Sequence, residues 1–132
     1  MKNYFAKIFH HKRVRPARPI EQIFKKRFPK ALNVEWVRLE KGYEALFHEG
    51  ETEKIVHFDH SGQLFEIRTN LCFDQLPDII RWPAQTYGEL MNAIRIERKS
   101  TTFFEIIFRD KMLVRYQLIF DDAGNVLKNE VL

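Results

Sequence analysis

Three of the five histidines, His48, His57 and His60, fall within thirteen positions, and they are the side chains best placed to do chemistry. A metal ion there would need at least three protein donors. His57 and His60 flank Phe58-Asp59, and His48 on the preceding strand is the only local third ligand. Period-two alternation, however, turns His57 away from Phe58, so the two histidines need not converge. Histidines on a wetted strand face and in a turn are the simpler reading. The expectation is no metal and no cofactor, with a metal-dependent protein using His48, His57 and His60 as an alternative.

Glu44 and Glu105 occupy matching places in two similar stretches, which raises the question of an acid–base pair. Each sits between core-facing neighbours and points to the opposite sheet face, where a charge is ordinary. Cys72 is the single cysteine, so neither an internal disulfide nor a CxxC site can form. The chain has no nucleophile elbow, phosphate-cradling glycine loop or HExxH. It is therefore expected not to be an enzyme, with no catalytic residues and no evident small-molecule substrate.

The elements that carry these residues read as two passes of one pattern. Tyr43-Glu44-Ala45-Leu46-Phe47, followed by Phe58-Asp59 and Gly62, is matched by Phe104-Glu105-Ile106-Ile107-Phe108, followed by Phe120-Asp121 and Gly124. Upstream, Val34-Glu35-Trp36 matches Ile94-Arg95-Ile96. Order and spacing kept over so many positions indicate an internal repeat. Each copy opens with a helix. Pro19 starts the first, and Ile20, Ile23, Phe24 and Phe28 form its apolar stripe, which stops before Pro29. Pro77 starts the second, striped by Ile79, Ile80 and Tyr87, and Pro83 inside it must kink or split it.

Strands follow at 34–39, 43–48, 54–58 and 63–69, and again at 93–98, 103–109, 113–120 and 126–131. The Phe-Asp-x-x-Gly passages read as hairpin turns and lack the alternating oxygens of a calcium loop. The expected fold is α+β: two tandem helix-plus-four-stranded antiparallel sheet units, about 20–72 and 73–132, with the helices packed on one sheet face.

At these residues the chain resembles the PepSY-like family, related in fold to the β-lactamase inhibitor protein. The resemblance rests on Phe28-Pro29, Val34-Glu35-Trp36, Tyr43-Glu44-Ala45-Leu46-Phe47, Phe58-Asp59 with Gly62, Leu76-Pro77, and Phe120-Asp121 with Gly124. It covers about residues 20–132. It implies tandem helix-on-sheet units and a non-enzymatic binding role, sometimes inhibition of peptidases or β-lactamases. Relatives are usually exported. Met1–Phe9 has a basic start but only a short apolar stretch broken by Lys7, so a cytoplasmic location is expected, with the periplasm as the alternative.

A partner surface is expected on the sheet face away from the helices. Alternation places Val37, Leu46, Ile55, His57, Phe65 and Ile67 there, joined in the second copy by Glu105, Ile107, Arg115, Gln117, Ile119 and Leu127. A face wetted on one side is normally more polar than this, and the mixture suits a protein partner or a homodimer. Its candidate contact residues are Val37, Leu46, His57, Phe65, Ile67, Glu105, Ile107, Arg115 and Ile119. Cover by the N-terminal segment or by sheet twist would explain the same residues.

Residues 1–19 form a basic arm of charge +6 on a chain of +4, so residues 20–132 carry −2. Lys2, Phe5, Lys7, Phe9, Lys12, Arg13 and Arg15 could lie on an anionic membrane surface. Nucleic acid is disfavoured as a partner, because the rest of the chain offers no basic stripe.

Overall fold

Alternating apolar residues between tight turns force hairpins, and hairpins account for most of this chain. The computed structural model describes residues 14–132. It is α+β, with two α-helices and an open antiparallel sheet whose eight strands follow chain order. The order is α1 (Arg18–Arg27), β1 (Leu32–Leu39), β2 (Gly42–Glu49), β3 (Thr52–Asp59) and β4 (Leu64–Asn70), then α2 (Asp78–Gln85), β5 (Glu89–Arg98), β6 (Thr101–Arg109), β7 (Arg115–Asp121) and β8 (Val126–Val131). Two compact units divide within β4, residues 1–67 and 68–132.

In the first unit, Ile20 and Phe24 of α1 and Phe28 just past its end are buried against Trp36, Ala45, Phe47, Val56 and Phe58 of the strands. Phe24 is the hub, its ring edge-on to Trp36 at 5.1 Å and to Phe47 at 5.0 Å. Ile23, expected on the buried stripe, is largely exposed. Ile20, Phe24 and Phe28, four residues apart along about two turns, already supply the buried contacts over the sheet. The edge of β1 is partly covered, since the Val14 N–H donates to the Trp36 carbonyl at 3.1 Å.

In the second unit, Ile80 and Ala84 of α2 pack with Leu76, Ala93, Phe104, Ile106, Phe108, Leu118 and Phe120. The expected stripe of Ile79, Ile80 and Tyr87 is corrected to Ile80 and Ala84, and Ile79 is exposed. Tyr87 lies beyond the helix with its ring against Phe108 at 5.4 Å. The helix neither splits at Pro83 nor continues far past it. The proline ring removes the N–H that would bond the Ile79 carbonyl, and the helix ends two residues later.

Both Phe-Asp-x-x-Gly passages form the same turn. Asp59 Oδ1 accepts from the Ser61 and Gln63 N–H groups, and Asp121 Oδ1 from those of Ala123 and Asn125. Gly62 and Gly124 have φ of +90° and +89°, and each turn tucks against its own helix. A Cβ at Gly62 would sit 3.1 Å from Ile23 Cδ1, and one at Gly124 would sit 2.9 Å from the Ile79 carbonyl oxygen. A third turn repeats this pattern at Asp110, whose Oδ1 accepts from Met112 and Val114. There Leu113 takes the glycine position with φ +64°. Without its glycine this turn escapes the Asp-x-x-Gly pattern, which is why the strand expected at 113–120 starts at Arg115.

Candidate protein-binding face

On the sheet face away from α1, the two-residue turn at Gly50-Glu51 sets the register of β2 and β3 and places Glu44 directly opposite His57. His57 Nε2 lies 2.5 Å from Glu44 Oε1, and its Nδ1 lies 2.9 Å from Glu66 Oε2. Glu44 is 8% and Glu66 5% exposed, so the imidazole joins two carboxylates that are held almost out of water. A neutral ring could donate at only one nitrogen and would turn a lone pair toward the other carboxylate. Burial by itself disfavours the charged ring. The hydrogen bonds and charges of Glu44 and Glu66 outweigh it, and the His57 pKa is raised above 6.5. Phe65, 40% exposed, stacks on the His57 ring with centroids 5.7 Å apart and planes 30° apart.

Glu66 was not among the residues expected here, because its place depends on a phase change in β4. Leu64 and Ile67 both pack against the helix-side core, an odd spacing that strict alternation forbids. Between them the strand slips by one, as at a β-bulge, and Glu66 reaches His57. Ile67 is thereby corrected from the partner face to the core. β1 carries a similar irregularity between Leu32 and Glu35, with Asn33 at φ +54°, and Val34 lies on the helix side, exposed in a groove it lines with Phe24, Phe28 and Trp36.

The other expected residues of this face divide between covered and accessible. Val37 and Ile55 are buried, and Leu46 lies half-buried opposite Ile55. In the second unit, Ile107 is buried, and Glu105, Arg115 and Ile119 are half-buried. Glu105 pairs with Arg68 at 3.5 Å and accepts from Gln117 Nε2 at 3.0 Å. Leu127 lies exposed at a register shift between β7 and β8. The apolar residues of this face are thus partly sealed, and polar clusters sit among them.

The three histidines considered for a metal have separate partners. His57 bonds its two glutamates, His60 Nε2 lies 3.1 Å from the Glu40 carbonyl oxygen, and His48 Nε2 lies 3.5 Å from Glu53. Among the described residues no group of three or more His, Cys, Asp or Glu is arranged to hold a metal. Cys72 is exposed. Glu44 and Glu105, considered as an acid–base pair, engage His57 and Arg68 respectively. Lys2, Phe5, Lys7, Phe9, Lys12 and Arg13 lie outside the described residues. Arg15 is exposed, 3.9 Å from Glu21. No helix among the described residues is long and apolar enough to cross a membrane.

No protein-family profile matches the chain, and no curated protein matches it. Solved structures do. A DUF2874 family protein from Bacteroides ovatus is 26% identical, with 89% of each chain covered and a TM-score of 0.78. A BLIP-like protein from Bacteroides fragilis is 20% identical, with 90% of this chain and 88% of that one covered and a TM-score of 0.77. A protein from Bacteroides eggerthii, provisionally named periplasmic, is 19% identical with a TM-score of 0.80 over 89% of this chain and 90% of that one. The chain therefore has a BLIP-like fold.

Proposed function

We propose that this chain is a non-enzymatic binding module that takes a protein partner on the sheet face away from α1, with Phe65 as its anchor. The observation that carries the reading is the exposed Phe65 ring stacked on His57, which Glu44 and Glu66 hold at both nitrogens. An aromatic side chain on a locked support offers contact area at little entropic cost, and such residues dominate binding energy at interfaces. Leu46 and the rim of the polar cluster at Glu44 would surround it. The BLIP-like neighbour supports an inhibitor-like role.

The sequence motifs support membership of the PepSY-like family. The matched Asp59–Gly62 and Asp121–Gly124 turns support descent from a duplicated unit. The neighbour provisionally named periplasmic supports the periplasm over the cytoplasm as the place of action.

The test is affinity capture from a periplasmic extract with the wild-type chain and with Phe65→Ala, followed by titration of the captured protein. Phe65→Ala should weaken that binding at least tenfold while leaving the unfolding midpoint unchanged, and Phe73→Ala, exposed elsewhere, should have no effect. A partner held equally by wild type and Phe65→Ala would refute this face.

A further inference from the structure

We infer that strand β8 is a self-complementary edge through which two copies of this chain join their sheets, antiparallel about Asn129. This inference uses the sheet edge and is independent of the binding reading above. All six residues of β8 are exposed, and β8 ends the strand order.

The direction of its free backbone groups follows from the pairing with β7. Tyr116 stands opposite Val131, Leu118 opposite Asn129 and Ile119 opposite Lys128. The Leu132 N–H donates to the Arg115 carbonyl at 2.9 Å, so Arg115 and Leu132 form a hydrogen-bonded pair. Antiparallel ladders alternate. Lys128 and Glu130 therefore turn their backbone groups toward β7, and Asn129 and Val131 turn theirs outward. Among the described residues nothing pairs with these outward groups, and an open row of them is a template for another strand.

Edge strands are commonly protected by an uncompensated charge, and this one lacks it. Lys128 and Glu130 lie on one face with Nζ and Oε2 3.3 Å apart, so β8 is neutral. Antiparallel self-pairing centred on Asn129 sets Lys128 against Glu130 of the partner copy, and Glu130 against the partner's Lys128. It also sets Leu127 against the partner's Val131, apolar against apolar. The outward backbone groups of Asn129 then meet their own copies at the two-fold axis, as a hydrogen-bonded pair requires.

Shifting the pairing by two residues in either direction opposes Lys128 to Lys128 or Glu130 to Glu130, and like charges directly opposite are unfavourable. The sequence thus selects one register. The bulge at Leu127 falls at the end of this pairing and leaves its centre straight. The result is an isologous contact, closed at two copies.

Sedimentation velocity of the full chain over a concentration series tests this. The wild type should show a reversible dimer. Asn129→Pro deletes an outward N–H that β7 does not use, so it should abolish the dimer with an unchanged far-ultraviolet spectrum. Lys128→Glu should raise the dimer dissociation constant about tenfold, from two lost ion pairs and two new repulsions. Lys128→Glu with Glu130→Lys should restore it. A monomer at every concentration up to ~1 mM would overturn the proposal. So would a dimer that persists in Asn129→Pro, and one that Phe65→Ala abolishes would then belong to the sheet face.

Discussion

Replacing His57 with leucine removes the one donor that two carboxylates share. The side chains of Glu44, His57 and Glu66 are 10%, 13% and 6% exposed, so little water can enter to take the place of the imidazole. Removing one partner from a buried charged cluster costs about 3–5 kcal/mol, because each carboxylate loses a donor that water cannot readily replace. Replacing all three by apolar residues of similar volume removes the buried carboxylates together with their shared donor and is near neutral or stabilising. Urea unfolding followed by circular dichroism should therefore show His57→Leu less stable by about 4 kcal/mol at pH 7. The triple change Glu44→Met, His57→Leu, Glu66→Met should lie within about 1 kcal/mol of wild type or above it.

The pH dependence has a fixed sign. The folded His57 pKa is raised, so its contribution is fully present below the unfolded value near 6.5 and is lost as pH rises through the folded value. Wild type should lose stability on the alkaline side of 6.5 relative to the triple variant, and the His57 ring should titrate above 6.5 by NMR. The cluster would not act as described if His57→Leu cost under 1 kcal/mol, if the triple variant were as damaged as the single one, or if the ring titrated at or below 6.5.

Leu113→Gly should stabilise the chain by about 1 kcal/mol, because it relieves a leucine at φ +64° whose side chain is exposed; a lowered thermal midpoint would contradict this. Phe58→Ala and Phe120→Ala empty matched, fully buried positions in the two cores, and each should cost about 3–5 kcal/mol in urea unfolding. Backbone and side-chain donors hold the carboxyls of Asp59, Asp110 and Asp121 below their ordinary pKa. The stability they add is present above the unfolded value and falls as pH drops through the folded one, so the triple Asn variant should show a shallower loss of urea midpoint between pH 4 and pH 2.

Much of the hairpin geometry was legible in the sequence. The turn at Gly50-Glu51 fixes which residues of β2 and β3 face each other, so the meeting of Glu44 and His57 follows from counting back from it. The two Asp-x-x-Gly turns were readable because an aspartate that binds its own amides and a glycine at positive φ each leave a residue type behind. Glu66 was not readable. Its position requires the slip in β4, and no glycine or proline between Leu64 and Ile67 marks that slip. Side-chain parity counted from Leu64 therefore places Phe65 correctly but assigns the residues from Glu66 onward to the wrong face, Ile67 among them. The shallow burial of α1 and α2 was also misjudged. A helical stripe shows which residues could face a sheet, whereas the bulk of Phe24 and Phe28, or the stop at Pro83, decides how many do.

The slip in β4 constrains how the chain can vary in length. Losing or gaining one residue between Leu64 and Glu66 would restore simple alternation with the Glu66 carboxylate still facing His57 and Ile67 still on the core side. Single-residue insertions and deletions there should thus leave both faces intact apart from re-seating Phe65, while a change of two would keep the slip. The Gly50-Glu51 turn carries no such parity rule for the strands beyond it, since both of its arms are anchored by their own cross-strand partners. In an alignment of homologues, any length change in β4 should therefore fall at the slip, and the other gaps should gather in the turns.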